Sequence, residues 1–222
     1  MKAKNLIKMG CGALHANLFD RSTPLNVMIS VTNRCTSHCR YCNIPRRDQR
    51  ELTTKEIFQL IDELTAAGTQ RIGLWGGEPL IRDDIGKIID YAKAKGLYVT
   101  LDSNGYLMKE KFSQIKNLDH LILALDGPEH MHNLNRGNDS FRKVIEAITF
   151  VHGKLTTWTI TVLTKYNLGG VDFVLEMAQR YGLQTTFQVL HHNDILGNDL
   201  SSLLPSDKVC RIILQELIDK KK

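Results

Sequence analysis

His120-Leu121-Ile122-Leu123-Ala124-Leu125 is an almost unbroken apolar run, and it stops abruptly at Asp126-Gly127-Pro128. A run this short bounded by turn residues has strand length rather than helix length. A strand that is apolar on both sides of its pleat is covered on both faces, as in parallel sheets flanked by helices. This stretch predicts an α/β protein, and the rest of the chain repeats its pattern.

Residues 27–31, 71–75 and 97–101 read as strands before this run, and residues 158–163 and 186–190 as strands after it. Helical spacing fills the intervals. Thr53-Thr54-Lys55-Glu56 forms a capping box, in which hydroxyl and carboxylate satisfy each other's backbone donors. Ile57, Leu60, Ile61 and Leu64 then make an apolar stripe that ends near Gly68. Further helices are expected over 85–94 (closed by Gly96), 109–115, 140–151, 171–181 and 205–218. That gives a series of β/α units, a pattern met either by an open doubly wound sheet or by a partial barrel. Residues 1–25 read as a lead-in and 26–222 as one core domain.

Composition agrees with a folded, water-soluble chain: of 222 residues, 42% are apolar and 24% charged, and the net charge is +5. No apolar run reaches the ~18–20 residues of a membrane span, and residues 1–25 lack a signal-peptide core. A cytoplasmic location is therefore expected. The basic residues are dispersed apart from Arg46, Arg47, Arg50 and Lys220-Lys221-Lys222, which read as solvated surface and do not single out nucleic acid.

The unusual residues all fall directly after strands. The cysteine-bearing loop follows the first strand and Gly76-Gly77-Glu78-Pro79 the second. Asp102-Ser103-Asn104-Gly105 follows the third, Asp126-Gly127-Pro128 the fourth, and His191-His192-Asn193-Asp194 the sixth. In parallel α/β proteins these loops share one rim, which is where active sites form.

The chain has five cysteines, and Cys35, Cys39 and Cys42 crowd into one loop. An odd number without an export signal argues against a disulfide framework. Three thiolates can grip a metal but cannot complete a four-cysteine site. Cys11 lies before the first strand, and Cys210, between Val209 and Ile212 on an apolar helix face, reads as core. Three readings stay open: buried cysteines, a structural zinc completed by His38, and a three-cysteine [4Fe–4S] cluster with one iron free. His38 directly beside Cys39 fits zinc-knuckle spacing poorly, whereas an open iron points to chemistry.

Cys35-Thr36-Ser37-His38-Cys39-Arg40-Tyr41-Cys42 resembles the C-x3-C-x-aromatic-C signature of the radical S-adenosylmethionine (SAM) enzymes. Gly76-Gly77-Glu78-Pro79 resembles the family's GGEP element and Asp102-Ser103-Asn104-Gly105 its TNG segment. Leu125-Asp126-Gly127-Pro128 with Arg136-Gly137 resembles its LDGP…RG element. The resemblance runs from about residue 26 to 190, and in detail is nearest the branch of SPASM and Twitch enzymes, without their cysteine-rich C-terminal auxiliary-cluster domain.

The resemblance implies a partial (β/α)6 TIM-like barrel of parallel strands. It implies that Cys35, Cys39 and Cys42 bind one [4Fe–4S] cluster whose fourth iron takes SAM. Tyr41 would pack near the adenine, and Leu190 would add an apolar floor. Gly76 and Gly77 would let the backbone approach the SAM ammonium, with Glu78 supplying negative charge. Ser103 and Asn104 would suit the ribose or methionine end, and Arg136 the SAM carboxylate. Where the family often has Ser before Leu-Asp-Gly, this chain has Ala124. The implied activity is reductive SAM cleavage to a 5′-deoxyadenosyl radical that abstracts hydrogen from a peptide, sugar or small metabolite. A low-potential donor such as flavodoxin or ferredoxin would supply the electron. His191, His192 and Trp75 are candidates to face the substrate. The competing reading is an iron–sulfur or zinc protein with a structural, regulatory or nucleic-acid-binding role.

Overall fold

The computed structural model describes Gly10, Leu14, residues 23–190 and residues 200–220. Strands β1 (Asn26–Thr32), β2 (Arg71–Gly76), β3 (Tyr98–Ser103), β4 (His120–Ala124), β5 (Thr157–Leu163) and β6 (Gln184–Val189) form one sheet in that spatial order. Each neighbouring pair is parallel. A doubly wound sheet reverses its strand order at a switch point, and this sheet does not. The chain winds in one direction, giving the partial (β/α)6 TIM-like barrel with β1 and β6 as its edges.

The helices are α1 (Thr54–Ala66), α2 (Ile85–Ala94), α3 (Met108–Ile115), α4 (Glu129–Arg136), α5 (Ser140–Val151), α6 (Val171–Tyr181) and α7 (Asp207–Lys220). The expected capping box starts α1: Thr53 Oγ1 accepts from the Glu56 amide at 3.3 Å, and Glu56 Oε2 accepts from the Thr53 amide at 2.8 Å.

Strand alternation separates two faces of the sheet. Ile72, Leu74, Val99, Leu101, Leu121 and Leu123 point outward and are fully buried among Ile57, Ile61, Ile88, Ile89, Val144 and Ile148 of the helices. The alternate residues line the inner face, which mixes polar and aromatic groups with aliphatic ones: Arg71 and Trp75 on β2, Asp102 on β3, His120 and Ile122 on β4, Trp158 and Ile160 on β5. Function therefore has to be sought on the inner face.

A smaller apolar cluster joins Tyr41 and Leu190 to Leu200 and Leu203. The last helix departs from expectation: α7 buries none of its residues, Ile212 and Ile218 are exposed, and Cys210 is half-buried rather than part of the core. No helix among the described residues is long and apolar enough to cross a membrane.

Candidate active site

The loop that carries the cysteines leaves β1 and is held by two neighbouring loops and by the end of helix α4. The Gly77 amide donates to Thr32 O and the Glu78 amide to Arg34 O, each at 2.8 Å. Asn104 Nδ2 donates to Thr36 Oγ1 at 3.0 Å. From the β4 side, Ser37 Oγ donates to Arg136 O at 2.8 Å, and the Arg40 amide donates to Asn135 O at 2.9 Å.

These anchors require glycine at two positions. A Cβ on Gly77 would stand 2.1 Å from Arg34 O, and one on Gly76, where φ is +139°, would stand 2.3 Å from Thr32 O. The close approach is between protein backbones: strand β2 ends against the start of the cysteine loop, and only hydrogen fits between them.

Cys35, Cys39 and Cys42 then line a cavity of about 150 Å³. Tyr41, Arg136, Gly76, Gly77, Ser103 and Asn104 share its wall, and Trp75, Asp102, Ile122, Ala124 and Ile160 close it from the strands. A second cavity of about 110 Å³ lies against the same cysteines, bounded by His38, Pro45 and Arg46. The structure thus brings together most residues singled out in the sequence. Leu190 packs against Tyr41 behind the wall. His191 and His192 lie outside the described residues.

Glu78 is also absent from that wall. It is fully buried; Oε1 accepts from the Leu80 amide, Oε2 accepts from the Asn104 amide, and the Ser103 hydroxyl donates to both oxygens. The carboxylate therefore locks the loop after β2 to the loop after β3. Burial pushes it up to about 7 against these donors.

Arg136 is held by Asp126, whose carboxylate accepts from Nε at 2.8 Å and from Nη2 at 3.1 Å. The same carboxylate accepts from the Tyr41 hydroxyl and the Val162 amide. That leaves the Arg136 Nη1 at 4.0 Å from Cys39 Sγ. Asp126 was visible only as a turn residue; its side chain organises the cavity from behind.

Two electrostatic features complete the site. Burial drives the Cys35 thiol up to about 11, with the neighbouring cysteines adding to it and the Ser37 amide opposing it, and burial also raises Cys42. Burial pushes Asp102 up to about 6, with Arg71 opposing, and one of its oxygens has no partner. Asp102, Ile122 and Ile160 were given no role from sequence, although strand alternation from Trp75 and Ala124 would have marked the inner face.

A sequence profile described as the Radical SAM superfamily matches residues 29–178. The chain belongs to the radical SAM superfamily. Its fold is shared with solved radical SAM structures at low sequence identity. SuiB of Streptococcus suis bound to S-adenosylmethionine superposes with a TM-score of 0.75 at 15% identity, covering 94% of this chain and 50% of SuiB. The native anSMEcpe with bound AdoMet gives 0.62 at 23% identity, covering 75% and 51%. Methylornithine synthase gives 0.60 at 15% identity, covering 86% and 61%. The chain spans about half the length of SuiB and anSMEcpe. The [4Fe–4S] cluster and SAM are the cofactors that its family implies.

Proposed function

We propose that Cys35, Cys39 and Cys42 hold one [4Fe–4S] cluster, and that the cavity beside them takes SAM. The observation that carries this is the placement of the three thiols in one wall with Gly77, Asn104 and Arg136. Among the described residues, no three His, Cys, Asp or Glu side chains converge to hold a single ion. Three thiols on one wall suit a cluster with three protein ligands and one open iron, whereas structural zinc closes with four protein ligands.

When bound and reduced, such a cluster with SAM supplies the 5′-deoxyadenosyl radical that abstracts hydrogen from substrate. The chain's own residues bind and orient. Arg136, neutralised by Asp126, offers Nη1 to a carboxylate at the cavity wall. Tyr41, with Leu190 behind it, gives an apolar surface for the adenine. Ser103 and Asn104, set by Glu78, present the loop after β3. Ile122, Ala124 and Ile160 keep the wall apolar and exclude water.

Trp75 and Asp102 sit on the inner face of the sheet, where a substrate would enter beside SAM. Solved structures of SuiB with a precursor peptide and of anSMEcpe with a peptide make a peptide the first substrate class to try, with sugars and small metabolites after it. A low-potential donor such as flavodoxin or ferredoxin would reduce the cluster. The core domain is assigned to residues 26–222, working in the cytoplasm.

Anaerobic reconstitution followed by iron and sulfide analysis tests the ligand set. Wild-type protein should be brown and carry one [4Fe–4S] cluster per chain, and Cys39→Ala should lose most of its iron. A colourless wild-type protein carrying zinc, or unchanged iron in the variant, overturns the assignment.

A further inference from the structure

We infer that the N-terminal mouth of the barrel is a second binding site, for a small molecule that carries a carboxylate or phosphate on a flat body. A cavity of about 740 Å³ lies there, within the ~300–1,000 Å³ range of small-molecule sites. It is built from the first residues of successive strands: Arg71 of β2, Tyr98 of β3, His120 of β4, Trp158 at the start of β5 and Gln184 of β6. The cysteine cavity sits at the other end of the same face. Arg71 and Trp75, one in each cavity, are four residues apart on β2, about 13 Å along a strand.

The chemistry of the lining points to an oxyanion. It holds Arg71, His120 and His152 and, among the described residues, no Asp or Glu. The Arg71 Nε is buried with no hydrogen-bond partner. Asp102, the carboxylate whose field reaches Arg71, faces the cysteine cavity instead. His120 is 4% exposed, and its Nε2 also lacks a partner. Native structures rarely leave buried donors unpaired. An oxyanion would satisfy both side chains, because guanidinium presents a planar fork and imidazole can donate from one nitrogen.

The rest of the wall sets the body of the ligand. His120 meets Trp158 edge to face with ring centroids 4.1 Å apart, which fixes the orientation of both rings. Tyr98 and Tyr181 add aromatic surface, and Leu155 and Leu183 add aliphatic surface. A flat organic anion fits this mixture better than a bare inorganic ion.

The experiment uses tryptophan fluorescence. The chain has two tryptophans, so in Trp75→Phe the remaining indole, Trp158, reports on the lower cavity alone. The cluster-loaded protein is titrated with phenyl phosphate, inorganic phosphate and benzylamine at constant ionic strength. The expected result is a saturable change with phenyl phosphate, weaker binding of inorganic phosphate and no saturable change with benzylamine. Added Arg71→Gln should weaken phenyl phosphate by about tenfold or more. Arg71→Lys should keep the charge but lose the fork, giving intermediate affinity, and it decides the matter if the Gln variant fails to fold. Saturating SAM should leave the titration unchanged. No saturable response to phenyl phosphate overturns the inference, as does equal binding of benzylamine. So do wild-type affinity in either Arg71 variant and displacement of the probe by SAM.

Discussion

Asp126 and Arg136 form a two-pronged ion pair behind the cysteine cavity, with the Tyr41 hydroxyl donating to the same carboxylate at 3.1 Å. Asp126 is fully buried, and the Arg136 side chain is 10% exposed. Asp126 lets a guanidinium sit in the wall of a desolvated site with one nitrogen still facing inward. Arg136 ends α4, and its carbonyl also anchors Ser37. The pair therefore ties the β4 side of the barrel to the cysteine loop.

Removing one partner leaves the other as an uncompensated buried charge. Asp126→Asn should destabilise the protein by about 3 kcal/mol in urea unfolding. A loss below ~0.5 kcal/mol, the size of an ordinary surface change, would show that the pair does not organise the wall.

Gly77→Ala should disturb the cysteine loop without touching a cysteine, because the new methyl would overlap Arg34 O. Strain of this kind costs about 2 kcal/mol. The expected reading is a lower unfolding midpoint together with reduced iron after reconstitution. Normal stability and iron content would mean that the loop can move aside.

Glu78→Gln tests the link between the loops after β2 and β3. However the amide is turned, its NH2 group faces either the Leu80 or the Asn104 backbone N–H, donor against donor. A loss of about 1–3 kcal/mol is expected, with faster hydrogen exchange at the Asn104 amide. Unchanged exchange there would contradict the locking role.

His132 gives a pH dependence of defined sign. Burial first, and the Arg136 cation second, hold its imidazole down to about 3 from an ordinary 6.5, and its Nδ1 accepts from the Asp126 amide at 3.1 Å. The folded state therefore favours the neutral ring. Its contribution is complete above pH 6.5 and declines as pH falls from there toward 3, because the unfolded chain binds the proton first. His132→Asn keeps an acceptor but cannot titrate, so its urea midpoint should fall less steeply over that window, while His120 retains its own share. Identical slopes would remove His132 from the linkage.

Much of the fold was legible because outer-face strand residues and helix stripes follow apolar periodicity. The run at β4 and the spans of α2 and α6 are of this kind, and the Thr53–Glu56 capping box was legible from its polar spacing. Helix α4 was not foreseen, and its reason is physical: the face it buries is polar, with His132, Asn135 and Arg136 inside. No apolar stripe marks such a helix. The cysteines and glycines of the cavity were legible from spacing and turn chemistry. Glu78 was read as a charge facing the cofactor, and the structure turns it inward, because sequence does not say which loops a carboxylate will join. The large cavity at the N-terminal mouth was also silent, since its residues are scattered one per strand and meet only when the sheet closes.

The proposed activity is SAM cleavage at the cysteine cavity. Its most direct test is 5′-deoxyadenosine formation by anaerobically reconstituted, reduced protein, read by chromatography beside Cys39→Ala. Wild-type protein should release 5′-deoxyadenosine and methionine, and the variant neither. Equal product from both proteins, or none from wild-type protein carrying a complete cluster, would contradict the claim.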